Sequence, residues 1–369
     1  MNLFYSELDK EKLNKNFLAI REDSYIKKVL NDWAQGFVDR DNKFVTEFQT
    51  TFNSSFWELY LFACFKELKL DVDFSNQSPD FFVEGENNKE FLVEAVIASN
   101  PKDGLPEWER ENVLHDIELF DKYTEYSNIV ELATIRLMQA LTFKFNKFID
   151  DYSQKDYCKN KPFVVAVAPF EQPFFFTQNT NAIRRALYTF DIPDYEDIDG
   201  ERFVYGNKKV KAVIKPNGTK LPLGLFLDPK YEGISAVMFS NTATSGKARV
   251  LSEDDRLILI AFEKYNDYGL DKIKGVEEKN IYRESLIEGI NIFHNPYAKH
   301  PLEIEELKHP DIVHHYYDPE EEEFYTKIKH EALFHRLVYT VRNSHLLTKR
   351  DREKYKKEII NKIFKNTSE

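Results

Sequence analysis

An acidic residue inside an otherwise apolar strand constrains this chain more than any other feature of its sequence. The segment FLVEAVIA, residues 91–98, carries Glu94 between apolar residues on both sides. Because apolar residues fill both alternating sets of positions, we expect a strand that is buried on both faces. An isolated carboxylate is costly to bury, so Glu94 needs a hydrogen-bond donor, a cation or a raised pKa. The strand is therefore predicted to lie in a sheet that is packed on both faces, with a donor or cation beside Glu94.

The composition agrees with a large packed core. Aromatic residues make up 15% of the 369 residues, whereas glycine contributes only 12. So many aromatic side chains exclude an intrinsically disordered chain, and so few glycines exclude a collagen-like one. The 63 acidic and 51 basic residues give a formal net charge of −12. That balance excludes a uniformly basic nucleic-acid coat but leaves room for a locally basic or metal-dependent site.

The sequence also bears on the cellular compartment. The two cysteines, Cys64 and Cys158, are too few for a disulfide framework. The N-terminal residues are charged where a signal peptide needs an apolar core. No uncharged apolar stretch reaches the roughly 20 residues that span a bilayer. We therefore expect a soluble cytoplasmic protein that does not enter a membrane.

Hydrophobic periodicity divides the chain into an N-terminal helical segment, a central core and a C-terminal region. The predicted boundaries are 1–50 for an exposed helical segment, 51–170 for the core, and 171–369 for a less regular α+β region that ends in a basic helix. The core reads as helix, strand, strand, helix, strand, which predicts an α/β fold with a mixed central sheet flanked by helices. Its predicted elements are a buried helix at 52–70 capped by Ser54 or Ser55, a hairpin formed by strands at 81–83 and 90–99, a helix at 129–149, and a buried strand at 161–170. In the C-terminal region we expect a helix at 182–190, strands within 202–215, 233–241 and 257–265, a helix at 320–343, and a basic helix from Lys349.

Three acidic residues in the core could form one site. Glu94 lies in the apolar strand, Asp80 follows Pro79 at the start of the preceding strand, and Glu58 lies in the apolar helix. Carboxylate oxygens of this kind hold hard cations such as Mg²⁺ or Mn²⁺. Each residue also has a structural explanation. Glu94 could pair with Arg136 or Lys144, Asp80 could be a turn residue, and Glu58 could favour a helix dipole.

The same residues resemble a known superfamily. A helix with a Glu, a Pro-Asp pair at one strand and a Glu-x-Lys motif on the next are similar to the PD-(D/E)XK, or restriction-endonuclease-like, nucleases. The matching positions are Glu58, Pro79-Asp80 and Glu94. The resemblance implies that Asp80 and Glu94 are metal ligands and that Glu58 is a supporting ligand. It covers about 120 of the 369 residues.

The chain departs from the superfamily pattern where the motif Lys is expected. That position is Val96 here. The Lys would help to place the attacking water and to stabilise developing charge. A basic residue from elsewhere could substitute, and Lys144, Arg136 and, as a weaker candidate, Lys102 are available. Otherwise the site is degenerate and binds without cutting.

A second polar segment, residues 239–252, lies between two β-like runs. Lys247 and Arg249 in this segment could bind a nucleic-acid phosphate, as could Arg136, or the segment could be an ordinary hairpin loop. The nine histidines show no HExxH-type spacing, so no zinc site is predicted.

Three functional hypotheses follow. The leading one is a Mg²⁺- or Mn²⁺-dependent nuclease that hydrolyses DNA, more readily than RNA, in restriction or anti-phage defence, with Lys144 joining the three acids as a catalytic residue. The alternative is a catalytically degenerate nucleic-acid-binding or assembly module on the same fold, acting as a homo-oligomer or with a partner protein. A sugar hydrolase with paired carboxylates is the third.

Overall fold

A computed structural model describes most of the chain. The described residues are 1–5, 8–85, 89–99, 126–172, 175–191, 194–198, 201–205, 209–265, 272–327, 331–341 and 347–364. Within them the architecture is mixed α/β, with a large mixed sheet flanked by helices. No helix in these ranges is long and apolar enough to cross a membrane.

The helices cluster in the first half of the chain. They are α1 (Lys15–Arg21), α2 (Ser24–Trp33), α3 (Phe44–Thr50), α4 (Phe52–Glu67), α5 (Tyr126–Asp150), α6 (Asn181–Tyr188), α7 (Ser245–Leu251) and α8 (Lys349–Phe364).

The strands are short in most places and longest in the C-terminal half. They are β1 (Asp71–Asp73), β2 (Phe81–Glu84), β3 (Glu90–Ile97), β4 (Phe163–Ala168), β5 (Asp194–Ile198), β6 (Glu201–Tyr205), β7 (Ala212–Ile214), β8 (Lys220–Pro222), β9 (Ala236–Phe239), β10 (Ile258–Tyr265), β11 (Lys272–Glu278), β12 (Asn291–His294), β13 (Val313–Asp318), β14 (Glu323–Lys327) and β15 (Ala332–Thr340).

The main sheet has eight strands in the order β1-β2-β3-β4-β9-β12-β13-β14. Strands β1, β2 and β3 are antiparallel neighbours, whereas β3, β4 and β9 run parallel. A smaller sheet has the order β11-β10-β15. The boundary predicted at residue 170 therefore falls inside one continuous sheet, between β4 and β9.

Helices α4 and α5 cover opposite faces of β3. Phe91 and Val93 join the core cluster that contains α4, whereas Leu92 joins the cluster that contains α5. The alternation along a strand sends successive side chains to opposite faces, so β3 is buried between the two helices. Its neighbour β4 is buried at every residue. This is the two-faced burial that the run around Glu94 predicts.

Several predicted elements are confirmed. The apolar helix, the hairpin, the long helix and the buried strand of the core correspond to α4, β2–β3, α5 and β4. The basic terminal helix is α8, the short helix is α6, and the strands expected at 233–241 and 257–265 are β9 and β10. The predicted cap of α4 was wrong, since the helix begins at Phe52 and Ser54 donates its hydroxyl hydrogen bond to the Thr51 carbonyl.

Other predictions were wrong. The helix expected at 320–343 is replaced, in its described part, by strands β14 and β15, because β15 pairs antiparallel with β10 along the length of that strand. The polar segment 239–252 is not a hairpin loop, since α7 occupies half of it. The first 50 residues are helical but not merely exposed, because Phe17, Leu30 and Phe48 are fully buried in the core cluster that contains α4.

Candidate functional site

Hydrogen-bond donors from α5 and from the 3₁₀ turn after it hold Glu94 at the centre of β3. The residue is only 2% exposed and faces α5. Lys144 Nζ donates to Glu94 Oε1 at 2.6 Å, and Lys147 Nζ reaches the same oxygen at 3.1 Å. Tyr152 donates its hydroxyl to Oε2 at 3.1 Å. The buried charge is therefore compensated at both oxygens, as a buried carboxylate requires.

Asp80 lies beside Glu94, directly before the neighbouring strand. It immediately precedes β2, whose register pairs Phe81 with Val93. Asp80 Oδ2 accepts a hydrogen bond from the Ala95 backbone N–H at 2.7 Å. Arg40 also holds the backbone at this position, because its guanidinium donates to the Asp80 carbonyl at 3.2 Å. The Asp80 carboxylate is thus fixed to the backbone next to Glu94.

Glu58 completes the acidic group from α4, and its electrostatics differ from those of Glu94. Burial raises the pKa of Glu58 to about 8, and the Asp80 carboxylate adds to the increase. Burial also raises the pKa of Asp80 to about 6, with a further contribution from Glu94 that Lys144 opposes. Among the described residues neither Glu58 nor Asp80 is in an ion pair. These two carboxyl groups therefore lack the cation that Glu94 has.

The structure thus brings together four of the residues selected from the sequence. Glu58, Asp80, Glu94 and Lys144 all influence one another electrostatically. Of the two structural partners considered for Glu94, Lys144 is observed. Arg136 instead donates to Gln139 Oε1 at 2.9 Å. Lys102 lies outside the described residues.

Two residues at this site were missed from the sequence. Lys147 and Tyr152 contact Glu94 directly. A sequence signal existed for Lys147, since it follows Lys144 by three positions and so projects from the same side of the helix. None existed for Tyr152, which lies beyond the end of α5 in a short 3₁₀ turn.

The other two basic residues selected from the sequence, Lys247 and Arg249, form ion pairs with other acids. The Lys247 side chain is fully buried and pairs with Glu284, and its amine also donates to the Glu288 carbonyl at 2.6 Å. Arg249 contacts Asp254 at 2.6 Å and Asp23 at 2.5 Å. In this arrangement neither cationic group reaches the surface, where a nucleic-acid phosphate would lie.

The acidic site offers the carboxylate oxygens that bind divalent cations, but they are not arranged around a common point as in a metal site. Carboxylate oxygens suit Mg²⁺ and Mn²⁺, and a cation would offset the burial and the acid–acid repulsion that together raise the pKa of Glu58 and Asp80. However, no group of three or more His, Cys, Asp or Glu residues in the described ranges is arranged to hold a metal ion. Glu94 would have to exchange a lysine contact for the metal.

Comparisons with known proteins add no assignment. No protein-family model matches the chain, and neither a curated protein nor a solved structure shows significant similarity to it. Any function must therefore be argued from the geometry of the site itself.

Proposed function

We propose that this protein is a metal-dependent nuclease of the restriction-endonuclease-like type that hydrolyses phosphodiester bonds in DNA. One observation carries the proposal: Asp80, just before β2, lies beside Glu94 on the adjacent strand β3, with Lys144 2.6 Å from Glu94. A structural ion pair explains Glu94 and Lys144, but it does not explain Glu58 and Asp80, which form no ion pair within the described residues. The described elements follow in the order α4, β1, β2, β3, α5, β4, with β2, β3 and β4 adjacent in the sheet, and this order supports the resemblance on which the proposal also rests.

In this proposal the acids and the lysine have different tasks. Asp80 and Glu94 would hold Mg²⁺ or Mn²⁺, with Glu58 as a supporting ligand. The bound cation would lower the pKa of a water molecule and neutralise charge on the phosphoryl group. Lys144 would take the role of the motif Lys, whose position in the sequence is Val96 here. With Glu94 holding the cation, the Lys144 amine would be free to hydrogen-bond the attacking water or a phosphoryl oxygen.

The direct test is cleavage of supercoiled plasmid DNA by purified protein with millimolar Mg²⁺ or Mn²⁺. We expect Asp80→Asn and Glu94→Gln each to reduce the cleavage rate by about 100-fold. Glu90→Gln is the matched control, because Glu90 lies on the same strand but is exposed and pairs with Lys161. Equal cleavage by wild type and Glu94→Gln would refute the site assignment.

A second candidate is a catalytically degenerate binding or assembly module on the same fold. The observation that favours it is that Lys144, Lys147 and Tyr152 occupy both oxygens of Glu94. It predicts DNA binding that weakens steeply with salt, without cleavage in any divalent metal. A metal-dependent rise in the melting temperature of the wild type, absent in Asp80→Asn, would favour the nuclease instead.

A further inference from the structure

An exposed ridge runs along α5 toward the acidic site. Its side chains are Leu132, Arg136, Gln139, Phe143 and Lys147, and their spacing of three and four positions puts them on one face of the helix. Phe143 is 67% exposed and Leu132 is 42% exposed, although the opposite face of α5 packs in the core. Phe143 therefore offers most of an aromatic ring to solvent, three helical turns from Leu132.

The ridge ends at the proposed catalytic group. Lys147 Nζ lies 3.1 Å from Glu94 Oε1. Phe143 precedes Lys147 by four positions, so the two side chains are neighbours, about 6 Å apart at their Cβ atoms. Phe143 therefore lies one helical turn from Lys147, which is one of the residues that contact Glu94.

Three cationic side chains lie on the ridge or next to it. Lys147, at the end of the ridge, has a side chain that is 39% exposed and pairs with Glu94. The exposed Lys230 donates to Asn146 Oδ1 at 2.9 Å, and Asn146 follows Phe143 by three positions. Arg136 lies two turns further along the ridge. In the described ranges neither Arg136 nor Lys230 belongs to an ion pair, and no acid lies on the ridge between Arg136 and Lys147.

This combination identifies the chemistry of the partner. An exposed aromatic ring on a surface that also carries Arg136, Lys147 and Lys230 matches a polyanion that also offers flat apolar rings, which is single-stranded nucleic acid. A duplex offers its phosphates but keeps its bases stacked and paired. A protein partner would account for the exposed ring but not for Arg136 and Lys230, which form no ion pair with any described acid.

We propose that the α5 ridge binds single-stranded DNA, with a base stacked on Phe143 and phosphates on Lys147 and Lys230. The inference rests on the proposed nuclease function and adds its substrate class: a single strand, or a duplex locally unpaired next to the bond that is cut. The stacked base would hold one nucleotide of the strand beside Asp80 and Glu94.

The test is the affinity of the full-length protein for fluorescent oligonucleotides, measured by anisotropy in EDTA so that no cleavage occurs. The probes are a mixed-sequence DNA single strand, the same sequence as a duplex, and the matching RNA. We expect the DNA single strand to bind best and Phe143→Ala to weaken its binding about tenfold, while Phe143→Trp retains it. Tyr355→Ala is the matched control, since Tyr355 is 45% exposed and lies on α8, which packs against β10 and β11.

Each outcome has a distinct meaning. Equal affinity for duplex and single strand, preference for RNA, or unchanged binding by a folded Phe143→Ala variant would each overturn the proposal. So would a concentration-dependent dimer that Phe143→Ala abolishes without any oligonucleotide binding. Plasmid cleavage by the wild type with any of these results would leave the nuclease proposal standing, whereas absence of cleavage with Phe143-dependent binding would refute the nuclease alone.

Discussion

Glu58 reaches the acidic site from α4, whereas the lysines that neutralise Glu94 come from α5. The pKa of Glu58 is about 8 in the folded chain against an ordinary value of 4.5. The folded protein therefore binds this proton more tightly than the unfolded chain. It follows that stability falls as pH rises from about 4.5 to about 8, and that the loss persists above that range.

The substitution Glu58→Gln removes this loss. Near pH 5 the variant and the wild type should be about equally stable, because Glu58 is protonated in the folded state. Near pH 9 the variant should be more stable by about 1–3 kcal/mol. Urea unfolding in EDTA at both pH values measures the difference. Glu67→Gln, at the other end of the same helix, is the control, and parallel pH profiles for wild type and Glu58→Gln would contradict the assignment.

Tyr152 tests how the Glu94 site is held together. The Tyr152→Phe substitution keeps the ring, which Lys147 approaches to 4.7 Å from the ring centre, but removes the donor to Glu94 Oε2. A buried carboxylate oxygen would lose its partner, so we expect the free energy of unfolding to fall by about 1–2 kcal/mol. Chemical denaturation checks this, with the exposed Tyr355→Phe as control. No difference between the two variants would mean that water replaces the hydroxyl at Oε2.

At the scale of elements, the acids of the site could be read from the sequence better than their partners could. Glu94 stands out because its neighbours in the strand are apolar. The choice between Lys144 and Arg136 could not be made, since both project from the same long helix about two turns apart. Only the position of α5 on the sheet decides which amine meets the carboxylate, and that depends on packing between residues 50 positions apart.

The elements themselves were predictable where local pattern and tertiary packing agree. The hairpin of β2 and β3 and the helix α5 follow from short-range periodicity. The segment of β15 was mistaken for a helix because its apolar residues recur at intervals that also suit a helix, and long-range pairing with β10 decides the outcome. Strand β1 was missed because its three residues, two of them Asp, carry no strand pattern.

At the scale of the whole molecule, a network of charges joins the N-terminal helices to the C-terminal half. Arg249 on α7 contacts Asp254 and also Asp23, which caps α2. The Arg249 side chain is 5% exposed, whereas that of Arg256, which contacts the same two acids, is 43% exposed. The two arginines therefore offer a matched pair, with the same partners and different burial.

We expect Arg249→Met to lower the free energy of unfolding by about 2–4 kcal/mol, because it leaves largely buried acids with one partner fewer. Arg256→Met should cost less than about 1 kcal/mol, as exposed ion pairs do. Urea denaturation of both variants measures the contrast. Equal losses would show that burial does not govern this network.

The continuity of the main sheet across residue 170 predicts that the chain folds as one cooperative unit in this region. Strand β4 pairs with β3 on one side and with β9 on the other. The core cluster around Trp57 also contains Met238 and Ile292 from the second half of the chain. A fragment of residues 1–170 would expose the apolar edge of β4 and lose part of the packing of α4.

We therefore expect this fragment to show no cooperative thermal transition by circular dichroism. The full chain should unfold in a single transition in which circular dichroism and tryptophan fluorescence change together. Addition of the 171–369 fragment during refolding is the control, because recovery of structure would show that the missing strands were the cause. A cooperative transition in the 1–170 fragment alone would instead establish residue 170 as a true domain boundary, with the acidic site and its lysines contained in an independent unit.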